Sequence, residues 1–516
     1  MQEIQSIKEL KSKRTYKVQE KEEMKTMTKI VYSALAAFVF ACLWSSAHAA
    51  GLQPPPDGGY AGANSAEGDN ALFSLTSGTY NTAIGFSSLK SNSTGNLNTG
   101  VGAGVLFANT ADENTAIGAG ALLSNMTGAG NTADGAFALF SNTIGTGNTA
   151  TGLQALFSNA NGIRNTANGV FALDRNISGS GNTAIGYQAL ANNTADGNTA
   201  IGNDSLVFNT SGVSNTATGA GALLSNISGG YNTAIGFQAL NNNTDGSNNA
   251  ATGRQALYNN ASGHDNAATG AGALYSNTTG NSNTATGVFA LLNNVTSSGN
   301  TATGDHALAS NTGSNNTALG LQAGANLTTG NNNIDIGNIG VPAESNTIRI
   351  GTQGTQTATY VAGIFGATVT DGAPVIVDTN GHLGTVVSSA RFKDEIKPMD
   401  KASAVILALK PVTFRYKKER DPKRIPQFGL VAEDVDKVDP DLVIRDRDGK
   451  PYTVRYEAVN AMLLNEFLKE HRTVQQQQRE IDVLKAELKQ QRALIQKVNA
   501  EVEVSKASPR TVLNNQ

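Results

Sequence analysis

A repeat of seventeen residues, sometimes sixteen, runs from Asn81 to about Gly337 and constrains the chain more than any other feature. The unit reads N-T-A-x-G-x-x-A-L-x-x-N-x-T/S-G, and sixteen copies begin at Asn81, Asn98, Asn114, Asn131, Asn148 and so on to Asn333. Position five is Gly in every copy, from Gly85 to Gly337. Position nine is Leu in the first fourteen, from Leu89 to Leu308. Three residues beyond each of those Leu stands an Asn, from Asn92 to Asn311. One unit is too short to bury its Ala and Leu alone, but stacked units bury them as continuous columns, so the period predicts a β-solenoid. Asn and Gly accept the left-handed backbone angles of tight corners. Equivalent Asn on successive coils are placed to bond amide to amide along the stack. At about 4.8 Å per coil, sixteen coils give a rod of order 75 Å. The recurring N-x-T/S triplets match glycosylation acceptors, but the repeat itself accounts for them.

Composition agrees. Gly is 56 of 516 residues, aromatics are 6% and charged residues 15%, against about 25% charged in an ordinary globular chain. Few bulky apolar side chains exclude a thick conventional core. A net charge of −3 gives no reason to expect nucleic acid or a membrane surface as partner. A coil with one Leu and several Ala is thin and is expected to gain stability by packing against copies of itself. The N-T-A-I-G segments at Asn81–Gly85, Asn114–Gly118, Asn182–Gly186, Asn198–Gly202 and Asn232–Gly236 resemble the head repeat of trimeric YadA-like adhesins. That resemblance implies a left-handed parallel β-roll built from three chains, although the period is longer here. Column four mixes Ile84, Ile117, Ile185, Ile201 and Ile235 with Thr151, Thr218, Thr252, Thr269, Thr286 and Thr303. Regular Thr pairs on a flat face can bind ice, but the Ile residues, Asp134 and Asn168 interrupt them.

At the start, Lys25 and Lys29 precede the apolar run Ile30 to Trp44, followed by Ala47-His48-Ala49. A basic start, a short apolar run and a small-x-small exit describe a secretory signal peptide within residues 1–49, with Met24 or Met27 as the first residue. The run is too short for a comfortable membrane span, so none is expected in the mature chain. Export to the cell surface or medium follows, with the periplasm as a second destination. The single cysteine, Cys42, lies in this run. It is either part of the removed leader or a lipoprotein acceptor after Val39-Phe40-Ala41. Removal of the leader leaves no thiol chemistry.

Residues 50–80 read as an N-terminal cap, 81–344 as the repeat head and 345–387 as a β-rich neck. The neck strands are expected at Thr347–Ile350, Tyr360–Ile364, Val375–Val377 and Leu383–Val387, with turns at Asp371-Gly372 and Asn380-Gly381. From Ser388 the chain turns charged. Ser388-Ser389-Ala390-Arg391-Phe392-Lys393-Asp394-Glu395-Ile396 is followed by Lys410 to Tyr416, Phe428 to Val435, Pro440 to Val443 and Tyr456 to Val459. These segments, in this order, resemble the peptidase S74 domain, the intramolecular chaperone of endosialidase tailspikes, here over residues 388–470. The resemblance implies a trimerising module of α+β fold that cuts its own chain at Val387–Ser388, once per molecule, with Ser388 and Lys393 as catalytic dyad. A Ser hydroxyl needs a base, and Lys serves only when neutral, through burial or a nearby cation. Arg391 is the candidate cation. The family usually has Asp after the Ser, and this chain has Ser389. In the plainer reading Ser388 or Ser389 is the N-cap of an ion-paired helix. Gly429 is expected to permit a tight turn, and Phe428, Leu430 and Val431 to be core. Lys423 and Arg424, between Pro422 and Pro426, form a basic loop that is either simply solvated or touches a polyanion.

Phe467, Val474, Ile481, Leu488 and Ile495 recur every seven residues, with Leu484 and Val498 filling the seam and Gln477 and Gln491 interrupting it. This predicts a trimeric coiled coil over 471–505, or else a long surface helix, before a tail at 506–516. There is no phosphate loop, paired Cys or HExxH, and His264, His306, His382 and His471 are scattered, so neither metal nor cofactor is expected. The fold expected is mainly β: a trimeric left-handed parallel β-solenoid head, a β-rich neck and an α+β chaperone module ending in a coiled coil. The function expected is an exported homotrimeric fibre or adhesin, its ligand a surface glycan or protein, matured by self-cleavage. Two rivals stand beside it. One is an uncleaved fibre with a permanent trimeric cap. The other is a tailspike-like glycan-degrading protein, which needs paired carboxylates on one face, whereas the acids of the repeats are sparse and out of phase.

Overall fold

The computed structural model describes residues 59–362, 364 and 372–506. The expected signal peptide, Cys42, Asp371 of the expected Asp371-Gly372 turn and nearly all of the tail lie outside them. The chain forms two compact units, divided between Thr355 and Gln356.

In the first unit each repeat contributes one strand of three residues, such as Thr149–Thr151, and a return path of turns. Each strand pairs in parallel with its counterpart one coil on, column upon column: Thr149 opposite Thr166, Ala150 opposite Ala167. The result is one 19-stranded sheet that winds as a parallel β-solenoid. Alternation along a strand turns the middle residue inward. Ala83, Ala116, Ala150 and their equivalents are accordingly buried, with Ala and Leu of positions eight and nine behind them. This interior is closed within one chain, so copies of the chain are not needed to fill it.

The stack is longer than the repeat reads. Asn64–Glu67 pairs in parallel with Thr82–Ile84, with Gly68 and Leu72 in the Gly and Leu columns. Gly59–Tyr60 covers that first rung as a short antiparallel strand, which protects the edge from further pairing. At the other end Ile348–Ile350, expected in the neck, pairs with Ile334–Ile336 and is the last rung.

Two asparagine ladders fix the register. In the first, the Asn148 backbone N–H donates to Asn131 Oδ1 at 3.0 Å, and its Nδ2 donates to the same oxygen at 3.2 Å and to the Gly162 carbonyl at 2.9 Å. Asn148 Oδ1 in turn accepts from the Asn165 N–H at 2.9 Å. In the second, Asn159 Nδ2 donates to Asn142 Oδ1 at 2.8 Å and to the Gly162 carbonyl at 3.0 Å. Both columns are buried, so each amide satisfies backbone groups that water does not reach.

Glycine and asparagine take left-handed corner angles as expected, for example Gly181 at φ 67° and Asn315 at φ 59°, and the buried leucine joins them: every Leu of the column, from Leu72 to Leu308, has φ between 46° and 54°. That conformation costs an L-residue about 1–2 kcal/mol. Burying a leucine returns about 1.5–3 kcal/mol, so burial offsets the strain. A β-branched residue tolerates positive φ far less well, which accounts for Leu rather than Ile or Val. Gly at position five serves a different need. A Cβ on Gly253, at φ 131°, would stand 2.6 Å from the Gly270 carbonyl oxygen one coil away.

In the second unit, Val375–Val377 pairs antiparallel with Leu383–Thr385, as the neck reading expects. Tyr360 and Val361 form no strand. Val412–Phe414 pairs with Gln427–Gly429 and Val443–Arg445 with Pro451–Val454, around a short helix, Ala432–Val438. Val435, Leu442, Val443 and Val454 form the core. Phe428, expected there, is 82% exposed, because strand alternation turns it away. Val431 is also exposed, while Leu430 packs against the core. Gly429 lies in a strand rather than a turn, and a Cβ there would meet the Tyr456 hydroxyl at 2.9 Å. Tyr456–Lys506 is one helix of 51 residues with none buried. It starts well before the expected 471.

Replacing Asn148 by Ala leaves the Asn165 N–H and the Gly162 carbonyl short of partners in a dry site. We expect a loss of about 2 kcal/mol or more in urea unfolding, against a change within about 0.5 kcal/mol for the outward-facing Thr151→Ala.

Candidate functional site

The residues around the junction Val387–Ser388 are extended, and Ala390–Phe392 then makes one turn of 3₁₀ helix. The Phe392 N–H donates to the Ser389 carbonyl at 3.0 Å and the Lys393 N–H to that of Ala390 at 3.1 Å. A turn of this pitch carries the chain back on itself. It brings Lys393 Nζ to 3.2 Å from Ser388 Oγ, where the ammonium donates to the hydroxyl. Five residues apart in sequence, the two are one hydrogen bond apart in space.

The rest of the expected site is arranged differently. The Arg391 guanidinium lies over the Phe392 ring, 4.6 Å from its centroid. Ser389 makes no capping bond, and no long helix starts here, so the N-cap reading has no helix to cap. Ser388, Ser389, Arg391 and Lys393 are all exposed in the single chain, and so is Val387. A hydroxyl and an amine are in contact, but open to water.

Farther along, a polar clamp that the sequence reading missed ties the 3₁₀ segment Asp400–Ala408 to the long helix. Ser403 is fully buried. Its hydroxyl contacts the Glu466 carboxylate and accepts from Asn465 Nδ2 at 2.6 Å and Lys469 Nζ at 3.2 Å. Lys469 also bonds Glu466 at 2.6 Å and the Asp400 carbonyl. The Lys469 ammonium, then the Ser403 hydroxyl, holds the Glu466 carboxyl below its ordinary pKa. Asn465, Glu466 and Lys469 share one helix face, but nothing in the sequence marks Ser403, more than sixty residues away, as their partner. The Leu430 N–H donates to the Tyr456 hydroxyl at 3.0 Å, a second tie to the helix.

Among the described residues, no group of three or more His, Cys, Asp or Glu is placed to hold a metal ion, and no helix is long and apolar enough to cross a membrane. The basic residues Lys423 and Arg424 are exposed on a loop held by Asp421, whose carboxylate accepts from the Lys423 and Ile425 N–H groups.

Compared with known families, residues 388–444 match the model described as Chaperone of endosialidase, Peptidase_S74. The match begins at Ser388 and does not extend into the repeats. No curated protein matches the chain, and no solved structure matches it. A segment that matches this family therefore follows a β-solenoid in the chain, an order that suggests a tail-fibre-like protein.

Ser403→Ala removes the centre of the clamp. We expect hydrogen exchange of segment 400–408 in the full chain to speed up about fivefold to thirtyfold, corresponding to about 1–2 kcal/mol, with the repeat coils unaffected.

Proposed function

We propose that the chain is an exported, adhesin-like fibre whose coils form a structural and binding surface, and whose segment from Ser388 onward assembles three copies and then cuts itself free. The observation that carries this reading is the contact of Lys393 Nζ with Ser388 Oγ, at the residue where the family match begins.

Cleavage proceeds in two steps. With Lys393 neutral, Nζ takes the Ser388 hydroxyl proton as Oγ adds to the Val387 carbonyl carbon through a five-membered ring. The C–N bond breaks, the Ser388 nitrogen takes the proton, and Val387 is left as an ester on Oγ. Water then hydrolyses that ester, giving a Val387 carboxylate and a free Ser388 hydroxyl. A lysine becomes a base when water is excluded or a cation approaches. Since the dyad is exposed in one chain, neighbouring copies supply that exclusion, which makes cleavage follow assembly.

Three-fold assembly is supported by the long helix. Phe467, Val474, Ile481, Leu488 and Ile495 lie on one stripe, all exposed, and a lone helix with such a stripe gains most by packing against its like. Joining three chains at one end raises the effective concentration of their solenoids for one another. The left-handed, trimeric head implied by the adhesin resemblance belongs to the same proposal.

The test is expression of the mature chain beside Ser388→Ala and Lys393→Ala, with denaturing gels and N-terminal sequencing. We expect a fragment beginning at Ser388 only in the unaltered chain. Full-length chains in all three would establish the permanent cap instead. Ile481→Asp should abolish the trimer in sedimentation and slow cleavage at least tenfold; efficient cleavage by a monomer would defeat the coupling.

A further inference from the structure

The last coil breaks the pattern of the stack. Column three holds Ala or Gly from Ala66 to Ala318, but in the coil of Asn333 it holds Asp335. Asp335 points inward like the alanines before it and is 1% exposed. Neither of its carboxylate oxygens has a hydrogen-bond partner. There is no slack around it: a Cβ added to Gly324 or Gly340 would come within 3.2 or 3.1 Å of Asp335 Oδ2.

The next rung places Arg349 directly opposite Asp335 in register. Arg349 nevertheless bonds elsewhere. Its Nε donates to Glu344 Oε1 at 2.8 Å and a terminal nitrogen to Oε2 at 2.6 Å. Glu344 also closes its own loop by accepting from the Val341 N–H at 2.8 Å. One guanidinium thus stands between two carboxylates, held by the outer one and one rung from the inner one. Among the described residues, Glu344 and Arg349 are the charges that act on Asp335.

We propose that Asp335 is a proton-operated latch on the final coil: Arg349 rests on Glu344 while Asp335 carries a proton, and is drawn to Asp335 when the proton leaves, which frees Glu344 and loosens segment 337–350. The arrangement has two states because one guanidinium cannot make a two-bond contact with both carboxylates. A buried ionised carboxylate without a partner is strongly unfavourable, which supplies the drive.

Burial first, and repulsion by Glu344 second, push the Asp335 carboxyl up to about 6, partly countered by Arg349. A carboxyl raised in the folded coil binds its proton more tightly than in the opened coil. The contribution of Asp335 is therefore greatest below the ordinary value of 3.8 and is lost as pH rises to about 6, with no further change above, whereas Glu344, held low by Arg349, loses its own contribution only as pH falls below the ordinary 4.5. If the opened coil has the ordinary value, its opening constant rises up to roughly a hundredfold across that window.

The test is hydrogen exchange of segment 337–350 in the full chain between about pH 4 and pH 8, corrected for the intrinsic rate. Protection should fall between about pH 4 and pH 6 and then level off. Asp335→Ala restores the residue usual in the column, so the stack is expected to fold and this dependence to vanish. Glu344→Gln releases Arg349 toward Asp335 and should move the transition to lower pH. A flat profile in the unaltered chain, or the same profile in Asp335→Ala, would overturn the latch. An unmoved transition in Glu344→Gln would overturn the exchange of partners. The other buried carboxylate, Asp174, also raised to about 6 by burial, lies elsewhere in the stack, and exchange read locally separates the two.

Discussion

Everything in the solenoid depends on the asparagine amide that spans two coils. Its oxygen accepts from the coil that follows, and its nitrogen donates to the coil before it and to a carbonyl of the corner. A slip of one residue would leave these buried groups without partners at once, at about 1–3 kcal/mol each. The same slip would drive side chains into the glycine column, where backbones of adjacent coils leave no room for a Cβ. Register is thus enforced twice, by bonds that must form and by atoms that must be absent. Because each coil touches only its neighbours, the stack is a chain of nearest-neighbour contacts, and its ends are its vulnerable parts. The two ends differ: one is covered by an antiparallel strand, the other finishes in Asp335, Glu344 and Arg349.

The leucine column shows how strain and burial are traded. A thin coil needs a sharp corner and one large apolar side chain, and a single residue meets both needs. Each leucine accepts an unfavourable backbone angle because its side chain has nowhere better to go. With the interior closed within one chain, the outward faces and the bare helix stripe are the surfaces left for association.

The module is built on the opposite principle. Its core is small, four fully buried apolar residues, and polar ties at Ser403 and Tyr456 connect it to the long helix. Phe428 and the helix stripe stay uncovered, and Ser388 and Lys393 meet in the open. Among the described residues the unit thus leaves a large share of its apolar surface uncovered.

The residues state some of this outright. The period gave the coil, its Ala and Leu gave the interior, and the two Asn columns gave the ladders, because an in-register repeat makes each residue its own neighbour. The family resemblance singled out Ser388 and Lys393, whose side chains meet at 3.2 Å. The misreadings arose where identity and environment part company. Leu joins Gly and Asn at left-handed angles, since burial outweighs backbone preference there. Phe428 looks like core by composition but stands on the outer side of its strand. Glycine at 429 makes room for a hydroxyl that arrives from residue 456.

Sequence alone therefore determined the solenoid and its register, which are written in local spacing, and, through motif resemblance, the place where the match to the Chaperone of endosialidase family begins. Only the tertiary structure decided that Asp335 lies unpartnered opposite Arg349, that Ser403 is gripped from the long helix and that the Ser388–Lys393 contact is open to water. Those facts depend on which distant segments meet and what they exclude, and no spacing along the chain records that.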